Sequence, residues 1–288
     1  MIFQRPETKV FVPDGLSDDE AFSRITHLGI GAHQDDLEIM AFHGILDCFA
    51  SPDLRFGGVT CTDGRGSPRD GIYRTFTDEE MAAVRRREQE KAAVIGEYGV
   101  LVQLPYPSAA VKGDGRTALR TDLAAVLSAC RPGILYTHNL ADKHDTHVAV
   151  GLTALEAVRS LAPSDRPRAV YGCEVWRGLD WLSDEDKVAL DVDRHPGLGA
   201  ALIGVYDSQV AGGKRYDLAT IGRRTANATY FQTHAVDASG QMIFAMDLTP
   251  LAEDDALDIA VFMERHIENF RADVVKRIRR LTTTGKPE

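Results

Sequence analysis

Five short apolar runs, each followed by a stretch of helical spacing, constrain this chain more than any other feature. They are THLGIGAH (26–33), RFGGVTCT (55–62), VLVQLPYP (100–107), ILYTHN (134–139) and AVYGCEVW (169–176). Between them lie helical patterns over 38–50, about 78–98, about 117–130 and roughly 146–161. Strands alternating with helices predict an α/β chain with a parallel sheet, right-handed crossovers and helices on both faces, a Rossmann-like doubly wound fold. In the usual order 3-2-1-4-5 the first and fourth strands are neighbours, and the loops after them meet at the switch point.

The regular pattern runs over 1–180, which we read as the catalytic core. Residues 181–288 are less regular. DKVALDVD (186–193) suits an edge strand, LGAALIGVY (198–206) a helix, and about 253–282 a long amphipathic helix. Its apolar side would carry Leu257, Ile259, Val261, Phe262, Ile267, Phe270 and Val274. This part is expected to cap one end of the sheet, without being an independent domain.

A formal net charge of -10 argues against nucleic acid or an anionic membrane as partner, since both favour a basic face. Cys48, Cys61, Cys130 and Cys173 lie far apart with no CxxC pair and read as reduced core residues. No apolar run has the length of a signal peptide or a membrane span, so the expected location is cytoplasmic.

Two clusters carry chemistry. At the end of the first strand stand His33, Gln34, Asp35, Asp36, Leu37 and Glu38. A catalytic zinc takes three protein ligands and leaves its fourth position to water. His33 and one aspartate can supply two ligands, and the other carboxylate would be free to take a proton. Paired aspartates before a helix equally suit capping. After the fourth strand, His138, Asp142, His144, Asp145 and His147 fall within ten residues. Any one of them alone reads as a solvated loop residue. The switch point joins the two clusters across one crevice, and a metal is the simplest reason for that meeting.

With AHQDDLE at 32–38 and HDTH at 144–147, in that order, the chain resembles the LmbE-like (PIG-L) family of zinc-dependent N-acetyl deacetylases. The resemblance covers about 24–178. It implies that His33, Asp36 and His147 bind Zn2+, with Fe2+ or another divalent ion left open. Asp35 would be the general base, and His144 would stabilise or protonate the tetrahedral intermediate. A zinc-bound water would then attack the N-acyl group, here N-acetyl on an amino sugar or sugar conjugate. Three departures stand out. Gln34 replaces a proline, which loosens the backbone there. Asp145 and Thr146 replace Pro-Asp. Tyr106 stands roughly where many members carry a sugar-binding aspartate.

Asp63, Arg85 and Tyr106 are the candidate substrate contacts, with Arg85 otherwise reading as a solvated helix face. Lys214, Arg223 and Arg224 make the later segment locally basic, and Trp176 suits packing or sugar stacking. A homo-oligomer is left open. Two alternatives remain: a metal hydrolase of another amide or ester, and a non-enzymatic Rossmann-type binding protein. Against the latter, the first strand leads into AHQDD and not into a GxGxxG phosphate cradle.

Overall fold

The computed structural model describes residues 1–283. Its strands are β1 (Lys9–Phe11), β2 (His27–Gly31), β3 (Phe56–Thr62), β4 (Val100–Tyr106), β5 (Ile134–His138), β6 (Ala169–Cys173), β7 (Lys187–Asp191) and β8 (Met242–Asp247). They form one sheet in the order β1-β4-β3-β2-β5-β6-β8-β7. The five strands from β4 to β6 are parallel, and within them the order is the expected 3-2-1-4-5. Every residue of β2 and β3 is buried, which is why these strands read as continuous apolar runs and not as alternating ones.

Glycine sets how closely the first loop approaches the sheet. A Cβ on Gly58 of β3 would lie 2.8 Å from the Leu37 side chain, so its absence lets Leu37 press directly on the strand. Leu37 belongs to the short helix Asp36–Met40, which leaves β2 with its first turn at the mouth of the switch point.

The sheet's edges differ from expectation. β1 adds antiparallel to β4, and β8 inserts antiparallel between β6 and β7. β7 is an edge strand as expected, but its partner β8 comes from a MIFAMD segment that the sequence pattern did not mark. Residues from the 181–288 part thus extend the sheet of the core. The last helix begins at Ile259, where Asp258 Oδ1 accepts the Val261 N–H at 2.9 Å. Phe262 is buried, whereas Val261, Ile267, Phe270 and Val274 are exposed, so most of the helix's apolar side is uncovered. No helix among the described residues is long and apolar enough to cross a membrane.

A buried carboxylate ties the later segment to the core. Glu38, in the 36–40 helix, accepts from Gln89 Nε2 at 2.8 Å, Tyr98 OH at 2.6 Å and Tyr206 OH at 2.6 Å. Burial pushes its carboxyl up, and the three donors oppose that shift. Arg224 adds a second tie, donating to the backbone carbonyl of Glu38 at 2.7 Å. Tyr206→Phe would strand Glu38 Oε2 without its donor. Urea unfolding of this variant is expected to show a loss of about 1–3 kcal/mol. An unchanged midpoint would mean that Tyr206 does not hold the segment.

Candidate active site

The loop after β2 and the loop after β5 meet, as the topology requires. β5 ends at His138, and His144 then sits at the N-cap of the helix Asp145–Arg159, which places His147 in its first turn. His33 Nδ1 lies 3.2 Å from His147 Nε2 and 3.4 Å from Asp36 Oδ2, and His147 Nε2 lies 3.5 Å from Asp36 Oδ1. Ligands about 2.0–2.1 Å from a tetrahedral ion stand roughly 3.3–3.4 Å apart. The two imidazole nitrogens, with one Asp36 oxygen near each, have close to that spacing, so the cluster fits a divalent metal. A second group of potential donors, His138, Asp142 and His147, shares one histidine with the first.

Electrostatics distinguish the two aspartates. Burial alone would raise the Asp36 carboxyl, but the imidazoles of His147, His138 and His33 around it hold it well below the usual range. For Asp35, burial dominates and pushes the carboxyl up to about 7, against the neighbouring Arg85. Neither aspartate is the ordinary helix cap that the DD pair equally suggested. Asp35 occupies the N-cap position without a side-chain cap bond, at φ 87 and ψ -27. A left-handed non-glycine residue is strained, and such strain persists only where neighbours enforce it.

The helix Asp78–Ile95 supplies those neighbours. Its start is fixed by a capping box, in which Thr77 N donates to Glu80 at 2.8 Å and Glu80 N to Thr77 at 3.2 Å. Arg85 and Gln89, one turn apart, share its buried face. Arg85 Nη2 donates to Asp35 Oδ2 at 2.8 Å and also to the Gln34 carbonyl. Gln89 Oε1 accepts the Asp35 N–H at 3.3 Å. Arg85 Nη1 reaches Glu88 at 3.4 Å, and Glu88 in turn accepts the backbone N–H and hydroxyl of Ser208, both at 2.7 Å. Arg85 is 1% exposed, so the solvated-face reading of this residue is wrong.

Gln34 does not loosen the loop. Its side chain is buried and donates to the Thr62 carbonyl at 2.9 Å. Gly64 must follow closely, at φ +72, because a Cβ there would collide with Gln34 Oε1 and Arg85.

Behind His147, Asp142 Oδ2 lies 3.5 Å from Nδ1, on the side of the ring away from the cluster. Such a carboxylate fixes ring orientation and tautomer for the outer nitrogen. Burial would raise the Asp142 carboxyl, yet His147 and the backbone N–H groups of His144 and Trp176 hold it at about 2. Burial in turn pushes His147 down to about 4. Of His144, Asp142 touches only the backbone N–H, at 3.0 Å, and Asp145 is exposed, so neither carboxylate pairs with the His144 ring. His144 stacks on His147 at 4.5 Å and lines the cavity. Burial and the nearby His33 lower its pKa, which favours the neutral imidazole.

Beside the cluster opens a cavity of about 680 Å³, walled by His33, Asp35, Asp36, Arg85 and His144 at one end. Of the substrate candidates, Arg85 lines it. Asp63 does not, since its carboxylate is taken by Arg65 at 2.6 Å. Tyr106 is a correction. It is fully buried in β4, with its hydroxyl donating to Asp122 at 2.7 Å, and the cavity wall begins two residues later at Ser108. The Arg-x-x-Glu pair of Arg85 and Glu88 was legible as part of the family resemblance, whereas Gln89, Ser208 and Glu174 were missed; for Gln89 the one signal is its place one turn after Arg85.

Comparison with curated proteins gives no match. A family model described as "PIG-L: GlcNAc-PI de-N-acetylase" matches residues 28–158. Among solved structures, the N,N'-diacetylchitobiose deacetylase of Pyrococcus horikoshii is 17% identical, at a TM-score of 0.57 over 81% of this chain and 88% of that one. The A40926 pseudoaglycone deacetylase Dbv21 is 16% identical, at a TM-score of 0.57 over 78% and 97%. The 4-carboxy-2-hydroxymuconate hydratase GalB of Pseudomonas putida KT2440 is 18% identical, at a TM-score of 0.56 over 78% and 96%. At these identities the structures establish the shared fold, not the reaction.

Arg85→Met would leave Asp35 and Glu88 buried without their cation. Chemical denaturation is expected to show a loss of about 3–5 kcal/mol. Arg85→Lys should recover only part of it, because an ammonium cannot fork between Asp35, the Gln34 carbonyl and Glu88. Full stability in Arg85→Met would contradict the clamp.

Proposed function

We propose that the chain, whose residues 28–158 match the PIG-L family model, is a metal-dependent hydrolase removing an N-acyl group, typically acetyl, from an amino sugar or sugar conjugate. The observation that carries this reading is the spacing of the His33, Asp36 and His147 donor atoms beside a buried Asp35 that Arg85 holds at the cavity wall. In this reading those three residues would hold a zinc or other divalent ion. When bound, such an ion lowers the pKa of water and polarises an acyl carbonyl.

Asp35 is the residue placed to move the proton. Its carboxyl, pushed up to about 7, is poised to accept a proton from water and give it to the departing amine. Arg85 and Gln89 fix its direction, so no reorganisation is needed when charge moves. His144, as a neutral imidazole, can donate an N–H to the oxygen on which charge develops. Asp142 orients His147. The buried surroundings strengthen each of these interactions relative to water.

Metal analysis and acetate release from N-acetylglucosamine and its glycosides test the reading together. About one divalent ion per chain is expected, and His147→Ala should lose it. Asp35→Asn should keep the ion and lose about 10²–10⁴-fold in rate. A purified, metal-loaded Asp35→Asn protein that still releases acetate at the full rate would sink the general-base assignment. A metal-free protein of full activity would sink the metal dependence, and a metal-loaded protein that releases no acetate would sink the deacetylase reading.

A further inference from the structure

The far wall of the cavity has a charge that the proposed chemistry does not use. In a chain of formal net charge -10, it carries Lys112, Lys214, Arg223 and Arg224, with Glu174 as the one carboxylate among them. The two carboxylates at the other end are engaged locally, Asp35 with Arg85 and Asp36 with the histidines. Glu174 is also occupied. It accepts from the backbone N–H groups of Leu179 at 3.0 Å and Phe244 at 3.2 Å, and from Asn227. None of the four cations has a carboxylate within 4 Å among the described residues.

Arg224 makes this more than a solvated basic surface. It is 2% exposed, its Nη2 is spent on the carbonyls of Glu38 and Ile39, and its Nε has no partner. Burial lowers its pKa to about 9, which still leaves it charged at neutral pH. Glu174 offsets this charge only through space, and the Phe42 ring lies 4.4 Å from the Arg224 Cζ, so the wall as a whole stays cation-rich.

Trp176 sets the reach. Its ring lies 6.3 Å from the His144 ring on one side, and Lys214 Nζ lies 5.0 Å from its centre on the other. Its backbone N–H is anchored to Asp142 at 3.0 Å, so the indole is fixed relative to the reaction centre. Tyr216 packs edge-on against it at 6.2 Å. A sugar-sized group fits beside this aromatic pair, with the next substituent reaching the cations.

We propose that Lys214 and Arg223, in the field of Arg224, form an anion subsite for a carboxylate or phosphate carried by the substrate one ring-width beyond the acylated nitrogen. The proposal rests on the hydrolase reading for where the acyl group sits. It concerns residues outside the family-matched 28–158. Lys214 and Arg223 are half-buried; Arg223 spends Nη1 on the Val175 carbonyl and keeps Nη2 and Nε for a ligand, and Arg224, held by the Glu38 and Ile39 carbonyls, contributes its charge.

Calorimetry and acetate release on the purified metal-loaded chain, with three probes, test it. The probes are methyl N-acetyl-β-glucosaminide, N-acetylglucosamine 1-phosphate, and an N-acetylglucosaminide whose aglycone ends in a carboxylate. At least one anionic probe should bind about tenfold more tightly than the neutral one, the scale of one charge-assisted hydrogen bond, with kcat/KM following. Which one does so tells phosphate from carboxylate. The preference should fall to about one in Lys214→Gln/Arg223→Gln, and Lys214→Glu should turn it against anions. Equal binding of all three probes, no binding of any, or a preference that survives the double variant would overturn the subsite. Anion-selective binding that depends on Lys214 and Arg223, without acetate release from any probe, would leave the subsite standing and remove the hydrolase reading. Equal acetate release from all three would do the reverse.

Discussion

The guanidinium of Arg85 is the constraint on which the site's geometry depends. It reaches Asp35, the Gln34 carbonyl and Glu88 from a fully buried position, and through Glu88 it reaches Ser208 of the later segment. Buried ion pairs of this kind add little net stability, because desolvation offsets most of the attraction. Their worth here is positional. Asp35 is held in a left-handed conformation that a free loop would leave, and its carboxylate is kept apart from the three donors beside it. The same contact moderates the upward shift that burial imposes on Asp35, keeping the group near neutrality instead of permanently protonated.

Much of the fold was legible, for a physical reason. Parallel strands buried on both faces need apolar residues at nearly every position, so β2 to β6 announce themselves. β8 was not legible, because its place depends on pairing with Cys173 and Leu190 far earlier in the chain and not on its own pattern. The 78–95 helix was legible as a helix, but its buried face was not. Its buried face includes Arg85, Glu88 and Gln89, satisfied by partners from other segments, so hydropathy periodicity points the wrong way. Tyr106 shows the limit of counting positions after a strand. β4 runs through residue 106, and the ring goes to the Asp122 side of the sheet, not to the cavity.

The grouping of His33, Asp36 and His147 was legible because strand order alone brings two loops together, whatever lies between them in sequence. What surrounds the group was not. Asp142 serves His147 and not the His144 ring, and His144 favours the neutral form, because these depend on angstrom-scale directions at the start of one helix. A motif fixes residue types and order. The protonation state follows from burial and neighbours, which the motif does not contain.

The solved structures of the same fold include proteins described as deacetylases and one described as a hydratase. The sheet therefore does not determine the reaction, which depends on the side chains at the switch point. Two different segments of this chain line the cavity. His33, Asp35, Asp36, His144 and His147 lie within 28–158, on loops that the parallel strands hold in place. The opposite wall, with Trp176, Lys214, Tyr216, Arg223 and Arg224, comes from residues after 173, fastened by Tyr206, Arg224 and Ser208 to the helices that carry Glu38 and Glu88. Its ties to the core run through backbone carbonyls and buried carboxylates, and one of them, Ser208 to Glu88, continues through Arg85 to Asp35, so the later wall and the first loop are mechanically joined.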